Sequence, residues 1–432
     1  MELVPNPFTF GNPIRDPSRF YGRKHEIQEI VGRLLSSAFE STSIVGERRI
    51  GKTSLLYYLS NPEVAASLGL APDRYSLVYT DFQGLTDITP RRFWQRVLDK
   101  MARTIGDQSL VVAIKRLQER EEFDLFDLED LFESIGNHGL GIVLLLDEFE
   151  YVTQNVEFTA DFFGGLRALA IHHRLALVPA TRRELVDLCH SKEIKGSPFF
   201  NIFANVVLRP LGRGEVCDLI ESYVGGTDFA FSPEEKELVW GLGGGHPCFV
   251  QMASHYLLEG KLQALPRDAL KAFVTTRFDE QANPHYTYLW SHCSGSERIS
   301  LLATLALGRQ KPSKKTMPNL ENISRLHPRA HLDVVSLVRR GLLEEADGTY
   351  ALFSSSFGRW IGREITAPAG EEESKASVEE WLRERGREVL QPVKGILPRF
   401  RKDYWPLIGV LVREMSFEFA AAGVVELVKL LV

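Results

Sequence analysis

Gly46, Gly51, Lys52 and Thr53 stand in the spacing G-x-x-x-x-G-K-[ST], which can hold a phosphate chain. Glycines let backbone N–H groups turn inward onto phosphate oxygens, and a helix starting there adds unpaired donors and the positive end of its dipole. Gly46, Glu47, Arg48, Arg49, Ile50 and Gly51 would form the cradle, with Ser54 extending it into the helix. Lys52 would neutralise charge on the β- and γ-phosphates, and the Thr53 hydroxyl would ligate Mg²⁺.

A second constellation completes that chemistry. Asp147 and Glu148 follow five apolar residues, Ile142 to Leu146. Such a run suits a central parallel strand covered on both faces, and ligands of α/β sheets gather at the carboxyl ends of strands. Asp147 would hold Mg²⁺ through water, and Glu148 would polarise an attacking water as general base. A further apolar run, Leu175 to Ala180, ends in Thr181-Arg182-Arg183. A cation at that tip could report whether a γ-phosphate is present. Arg182 is the first choice for that sensor and Thr181 the second, with an ordinary helix-start arginine as the competing reading.

These groups need a frame. Apolar runs at Thr42–Val45, Ser76–Phe82, Ile142–Leu146, Leu175–Ala180 and Val206–Leu211 alternate with helical patterns. The expected fold is therefore α/β, a five-stranded parallel P-loop sheet with helices on both faces. Pro90 opens a helix carrying Phe93, Trp94, Val97, Leu98 and Met101, whereas residues 115–134 read as a solvated helical insertion with Leu125, Leu128, Leu131 and Phe132 buried.

The flanks are more open to interpretation. Residues 5–23, rich in Pro and Gly, read as an extended arm leading to F-Y-G-R-K-H-E at 20–26. Tyr21, Gly22 and Arg23 could wall an adenine ring, or serve only as an aromatic anchor at a helix start. The arm and sheet domain span 1–212. A helical lid over 213–289 follows, with segments at 214–224, 232–242, 247–260 and 266–278. In its G-L-G-G-G-H-P turn, His246 or Pro247 could lie against a bound base or phosphate, or merely join two helices. Residues 290–366 read as a winged helix. Ile299, Leu301, Leu302 and Leu305 mark one helix, Lys311, Lys314 and Lys315 a basic loop, 328–340 a second helix, and Asp347-Gly348 a hairpin turn. Residues 367–432 form a linker and helical tail, with an amphipathic helix around Trp381 and Leu382, a basic turn at 398–402 and an apolar segment from Leu407.

Composition sets bounds. The chain has 432 residues, net charge −6, 44% apolar and 25% charged residues, proportions ordinary for globular proteins. Cys189, Cys217, Cys248 and Cys293 are scattered without a CxxC pair, so neither a disulfide framework nor a zinc site is expected, and a reducing cytoplasm is the natural compartment. The charges in the last apolar segment argue against a transmembrane helix.

Taken together, these motifs resemble the AAA+-related P-loop ATPases of the STAND class, signal-transducing ATPases with numerous domains. The resemblance covers residues 5–365. It rests on Gly22, Arg23 and Glu26 as a G-R-x-x-E motif, V-G-E-R-R-I-G-K-T-S, L-L-L-D-E-F-E, Ala180-Thr181-Arg182, the G-H-P turn, and S-P-F-F-N-I-F before the fifth strand. It implies ATP or ADP with Mg²⁺, slow regulated hydrolysis, and an arm and G-R-x-x-E motif around adenine. It further implies a helical lid and winged helix that hold ADP in a closed state. ATP would open the molecule for homo-oligomer assembly and signalling to a protein trigger or effector, in a setting such as bacterial conflict or defence. Arg48, Arg49 and Arg183 are candidates for an intersubunit arginine finger. A different class, a DNA-binding initiator- or transposition-type ATPase acting through the winged helix, is less favoured because Glu344, Glu345 and Asp347 would repel phosphates. A nucleotide-binding scaffold without hydrolysis is the third reading.

Overall fold

The computed structural model describes residues 6–366 apart from 197, 226, 309–316 and 327–329. The basic loop with Lys311, Lys314 and Lys315 and the whole 367–432 tail lie outside the described residues. The chain divides into two compact units, one being Gly11–Leu211. The other joins the residues up to Phe10 to those from Gly212 onward. The arm, read from sequence as part of the sheet domain, is therefore shared between the units, and residues 213–289 and 290–366 belong to one unit.

In the Gly11–Leu211 unit five parallel strands form one sheet: β1 (Thr42–Val45), β2 (Tyr75–Asp81), β3 (Gly141–Asp147), β4 (Leu175–Thr181) and β5 (Ala204–Val207), in the order β2-β3-β4-β1-β5. Every residue of β1, β3 and β4 is buried, as the apolar runs require. Alternation divides them between two cores. Ile142, Leu144 and Leu146 face one with Phe82, Phe93 and Trp94; Val143 and Leu145 face the other with Ile44, Leu55 and Val206. The fifth strand starts earlier and stops sooner than expected. Its last ladder bond runs from Leu208 N to Val45 O, 2.8 Å, and Pro210 has no N–H to continue.

The 115–134 stretch is not a solvated insertion. It belongs to two helices, Gln108–Glu119 and Leu125–Asn137, and Leu128, Leu131 and Phe132 are buried in the core under β3. Leu125, expected in that stripe, is exposed at the first turn, its side chain lying over Gly165.

The other unit opens with helices Arg213–Val224, Pro233–Gly243, Pro247–Leu262 and Arg267–Ser291. The last runs well past the expected end at residue 278, through Pro284. Pro284 removes one helical hydrogen bond, but Val274, Phe278, Ala282, Tyr286 and Leu289 keep one buried stripe across it. Residues 6–10 pack on this bundle. Phe8 stacks on Tyr223 and Phe231 at 5.3 and 5.7 Å, and His255 Nδ1 donates to Phe8 O at 2.8 Å. Helices Gly295–Gly308, Leu320–Leu326 and Ala330–Arg339 follow, then the antiparallel hairpin of β6 (Leu343–Ala346) and β7 (Thr349–Leu352), and the helix Ser355–Thr366. The turn lies at Asp347-Gly348, both with positive φ, as the hairpin signal requires. Buried Glu297 binds Arg340 at 2.9 Å and accepts from Ser336 at 2.7 Å, tying two of these helices together.

Candidate functional site

β1 delivers the phosphate-loop residues from its place between β4 and β5. Gly46 N donates to Thr181 O at 3.1 Å, fixing the loop entrance against β4. A Cβ on Gly46 would stand 2.8 Å from Ile50 Cγ2 and 3.1 Å from Leu208 O, so only glycine lets the loop close here. Glu47 and Ile50 are buried, whereas Arg48 and Arg49 are exposed. Lys52 begins the helix Lys52–Ser60, and its ammonium donates to Gly46 O at 2.8 Å and Glu47 O at 3.1 Å. The amides of that first turn have no intrahelical acceptor and point out of the N-terminus. Ser54, expected in the cradle, accepts from Ile14 N at 3.0 Å, so its hydroxyl anchors the arm.

β3 brings Asp147 to the same edge, in register with Asp81 of β2. Asp147 is almost wholly buried; it accepts from Tyr79 at 3.0 Å and from Glu148 N at 3.1 Å. Burial pushes its carboxyl above the usual range, and hydrogen bonds from Thr53 and Tyr79 pull against that rise. Thr53, the other expected metal ligand, thus stands near enough to act on the Asp147 carboxyl. Among the described residues there is no cluster of three or more His, Cys, Asp or Glu able to hold a metal. Two hard oxygens from the chain suit Mg²⁺, which keeps several waters and takes the rest of its shell from phosphate.

Glu148 leaves the strand with φ +51°, a conformation that costs energy outside glycine. Burial and the neighbouring Glu150 push its carboxyl up to about 6, against the pull of Lys52 and Arg182. Arg182 Nε donates to Glu150 at 2.6 Å. Thr181, the alternative sensor, turns its hydroxyl onto Arg183 O at 2.6 Å within its own turn.

Tyr21 donates to Ser18 O at 3.0 Å, and Phe20 stacks on Tyr58 of the Lys52–Ser60 helix at 4.6 Å. Arg23 is buried and binds Glu26, Arg209 O and Ile50 O at 3.0, 2.6 and 3.0 Å. The G-R-x-x-E pair therefore braces the phosphate loop to the segment after β5. His246 and Pro247 lie in the other unit, where His246 precedes the helix beginning at Pro247 and packs 4.5 Å from Phe249.

Tyr79 and Glu150 were not singled out from sequence. The signal for Tyr79 was parity. Tyr79 pairs with Leu145 and Asp81 with Asp147, so all four side chains share one sheet face. For Glu150 no local signal exists, because its partner Arg182 lies on another strand.

The sequence family described as Novel STAND NTPase 2 matches residues 33–310. A Walker-type ATPase of Pyrococcus abyssi is similar in structure, with TM-score 0.53 and 16% identity over 82% of this chain and 99% of that one. The Aeropyrum pernix ORC2 protein, solved in ADPNP–ADP complexes, gives TM-score 0.51 and 16% identity over 84% of this chain and 98% of that one. At such identity the likeness is one of fold. No curated protein matches the chain. Among the described residues, no helix is long and apolar enough to cross a membrane.

Proposed function

The chain belongs to the novel STAND NTPase 2 family, and on that premise we propose that it is a Mg²⁺-dependent, slowly hydrolysing ATP switch. The observation that carries this reading is a Lys52 ammonium lying on the loop carbonyls at the sheet edge where β3 ends in Asp147. Gly46 O and Glu47 O are the acceptors for Lys52. Phosphate oxygens would take over that role, and the loop amides would close on them. Bound Mg²⁺ would supply charge neutralisation on the phosphates, held by Thr53 directly and by Asp147 through water.

Glu148 is the general base in this scheme. Its raised proton affinity suits it to accept a proton from water near neutral pH. Arg182 is the phosphate sensor, and Tyr21, Gly22 and Arg23 are proposed on the adenine side. In Arg23 the observed bonds favour a bracing role over direct base contact.

Residues 213–289 act as lid and 290–366 as winged helix in this reading. The helix-helix-helix-hairpin order of the second supports it. Chain connectivity favours a switch, because the two units are joined at both Phe10/Gly11 and Leu211/Gly212. Phosphate contacts at one unit can then bias a two-state arrangement without fast turnover. The acidic wing, with Glu344, Glu345 and Asp347, disfavours duplex DNA as the partner. Solution mass measured with ADP and with a non-hydrolysable ATP analogue tests the switch, and an ATP-dependent rise toward a homo-oligomer is expected. Identical mass in both nucleotides, with Lys52→Ala binding ATP as well as wild type, would overturn it.

A further inference from the structure

Glu150 lies in the first turn after Asp147 and is 1% exposed, yet it is charged and half satisfied. Its Oε1 accepts from Arg182 Nε at 2.6 Å, while Oε2 is buried with no hydrogen-bond partner. A carboxylate at this depth is tolerable while a cation sits on it and costly once that cation leaves. Arg182 is less confined, its side chain 30% exposed at the tip of β4. β3 and β4 pair in parallel, so both residues leave the sheet at the edge where the phosphate loop begins. Arg182 therefore already has an acceptor, and any contact it makes with a phosphate must displace that one.

We propose that Glu150 and the terminal phosphate of a bound nucleoside triphosphate are alternative acceptors for Arg182, so that Glu150 sets the threshold for sensing triphosphate. The inference rests on the reading of Arg182 as phosphate sensor. With diphosphate, Arg182 stays on Glu150. With triphosphate, the guanidinium moves to a more highly charged acceptor that can take two of its N–H groups. Glu150 is then left buried without its counter-charge, and that penalty is charged against triphosphate but not against diphosphate. No covalent bond changes in the exchange. Glu150 is thus a positioning residue that acts through Arg182.

The test is the ratio of affinities for a non-hydrolysable ATP analogue and ADP, measured by calorimetry on the full chain with Mg²⁺. Glu150→Gln keeps the shape and an acceptor oxygen but removes the charge, and should raise the ratio about tenfold, the scale of one charge-assisted hydrogen bond. Glu150→Asp, which keeps the charge but shortens its reach, should raise it less and serves if the glutamine variant does not fold. Arg182→Ala should lower the ratio, and adding Glu150→Gln to it should change nothing further. An unchanged ratio in Arg182→Ala would overturn the sensor assignment and the exchange with it. A lowered ratio there, with Glu150→Gln and Glu150→Asp both behaving as wild type, would overturn the exchange alone and leave the sensor standing.

Discussion

The Tyr79 hydroxyl donates to Asp147 Oδ2 at 3.0 Å, across two paired strands and beside the tilted ring of Tyr57, 4.6 Å from that of Tyr79. Burial, then the adjacent Asp147, push the Tyr79 phenol well above its ordinary range, so it stays a donor at any physiological pH. Its task in the proposed scheme is to fix the carboxylate that faces the metal. Tyr79→Phe should lower the stability of the nucleotide-free protein by about 1–2 kcal/mol, the cost of leaving a buried acceptor short of a donor. It should also raise the Mg²⁺ concentration for half-maximal ATP hydrolysis by roughly tenfold, as loss of an outer-shell partner does. Thermal melts and a Mg²⁺ titration check the two effects. An unmoved Mg²⁺ midpoint would make Tyr79 a packing residue only.

Lys52 offers a direct check on the phosphate cradle. Its ammonium is buried and bonded to two loop carbonyls, Gly46 O and Glu47 O. Lys52→Ala removes the charge that phosphates would recruit, and affinity for ATP should fall about 100-fold, near the sum of two charge-assisted hydrogen bonds. Calorimetry with ATP and ADP measures it. Undiminished affinity would show that phosphates bind elsewhere.

Glu148 makes a prediction about pH. Its folded-state carboxyl lies at about 6, above the 4.5 of an unperturbed glutamate, because of burial first and Glu150 second. The folded protein thus binds that proton more tightly than the unfolded chain does. Glu148's contribution to stability is fully present below about 4.5 and is lost as pH rises through about 6. Glu148→Gln should therefore melt higher than wild type above pH 7, by roughly 1 kcal/mol after allowance for partial exposure, with the gain vanishing towards pH 4.5. The same variant should keep ATP affinity while hydrolysis falls about 100-fold or more. Melting curves across pH, paired with phosphate release, test both halves. Normal hydrolysis in Glu148→Gln would move the general base to another residue.

What could be read from the sequence follows from the range of each signal. The phosphate loop, the buried β3 run and the acid pair are local patterns, each complete within ten residues or so, and the structure places them at one sheet edge. Five strands were legible because apolar runs and their punctuation survive without context. Pairings that cross the sheet were not. Glu150 with Arg182, Tyr79 with Asp147, and Arg23 with the Arg209 carbonyl each depend on strand order, β2-β3-β4-β1-β5, which no local pattern encodes. The helix expected to end at residue 278 continues to Ser291, because tertiary burial of Tyr286 and Leu289 overrides the helix-breaking propensity of Pro284.

The three glycines before His246 read as a break between helices, yet Gly244 has a second, stricter reason to be glycine. It ends the helix Pro233–Gly243 with φ +54°, and a Cβ there would lie 1.7 Å from the carbonyl oxygen of Phe353, just past β7. Phe353 in turn stacks on Phe249 at 6.0 Å, one helical turn beyond the G-H-P corner. The helix end and the hairpin end are therefore fixed backbone to backbone, and no rotamer change can relieve an added methyl. Gly244→Ala should cost about 3 kcal/mol, part from the left-handed backbone and the larger part from forcing the two segments apart. Gly348→Ala is the control for backbone conformation, because Gly348 also has positive φ, +71°, and open space where a Cβ would stand. Denaturant melts of both variants separate the two causes. Equal destabilisation would place the whole cost in the left-handed conformation and remove the contact with Phe353 from the account.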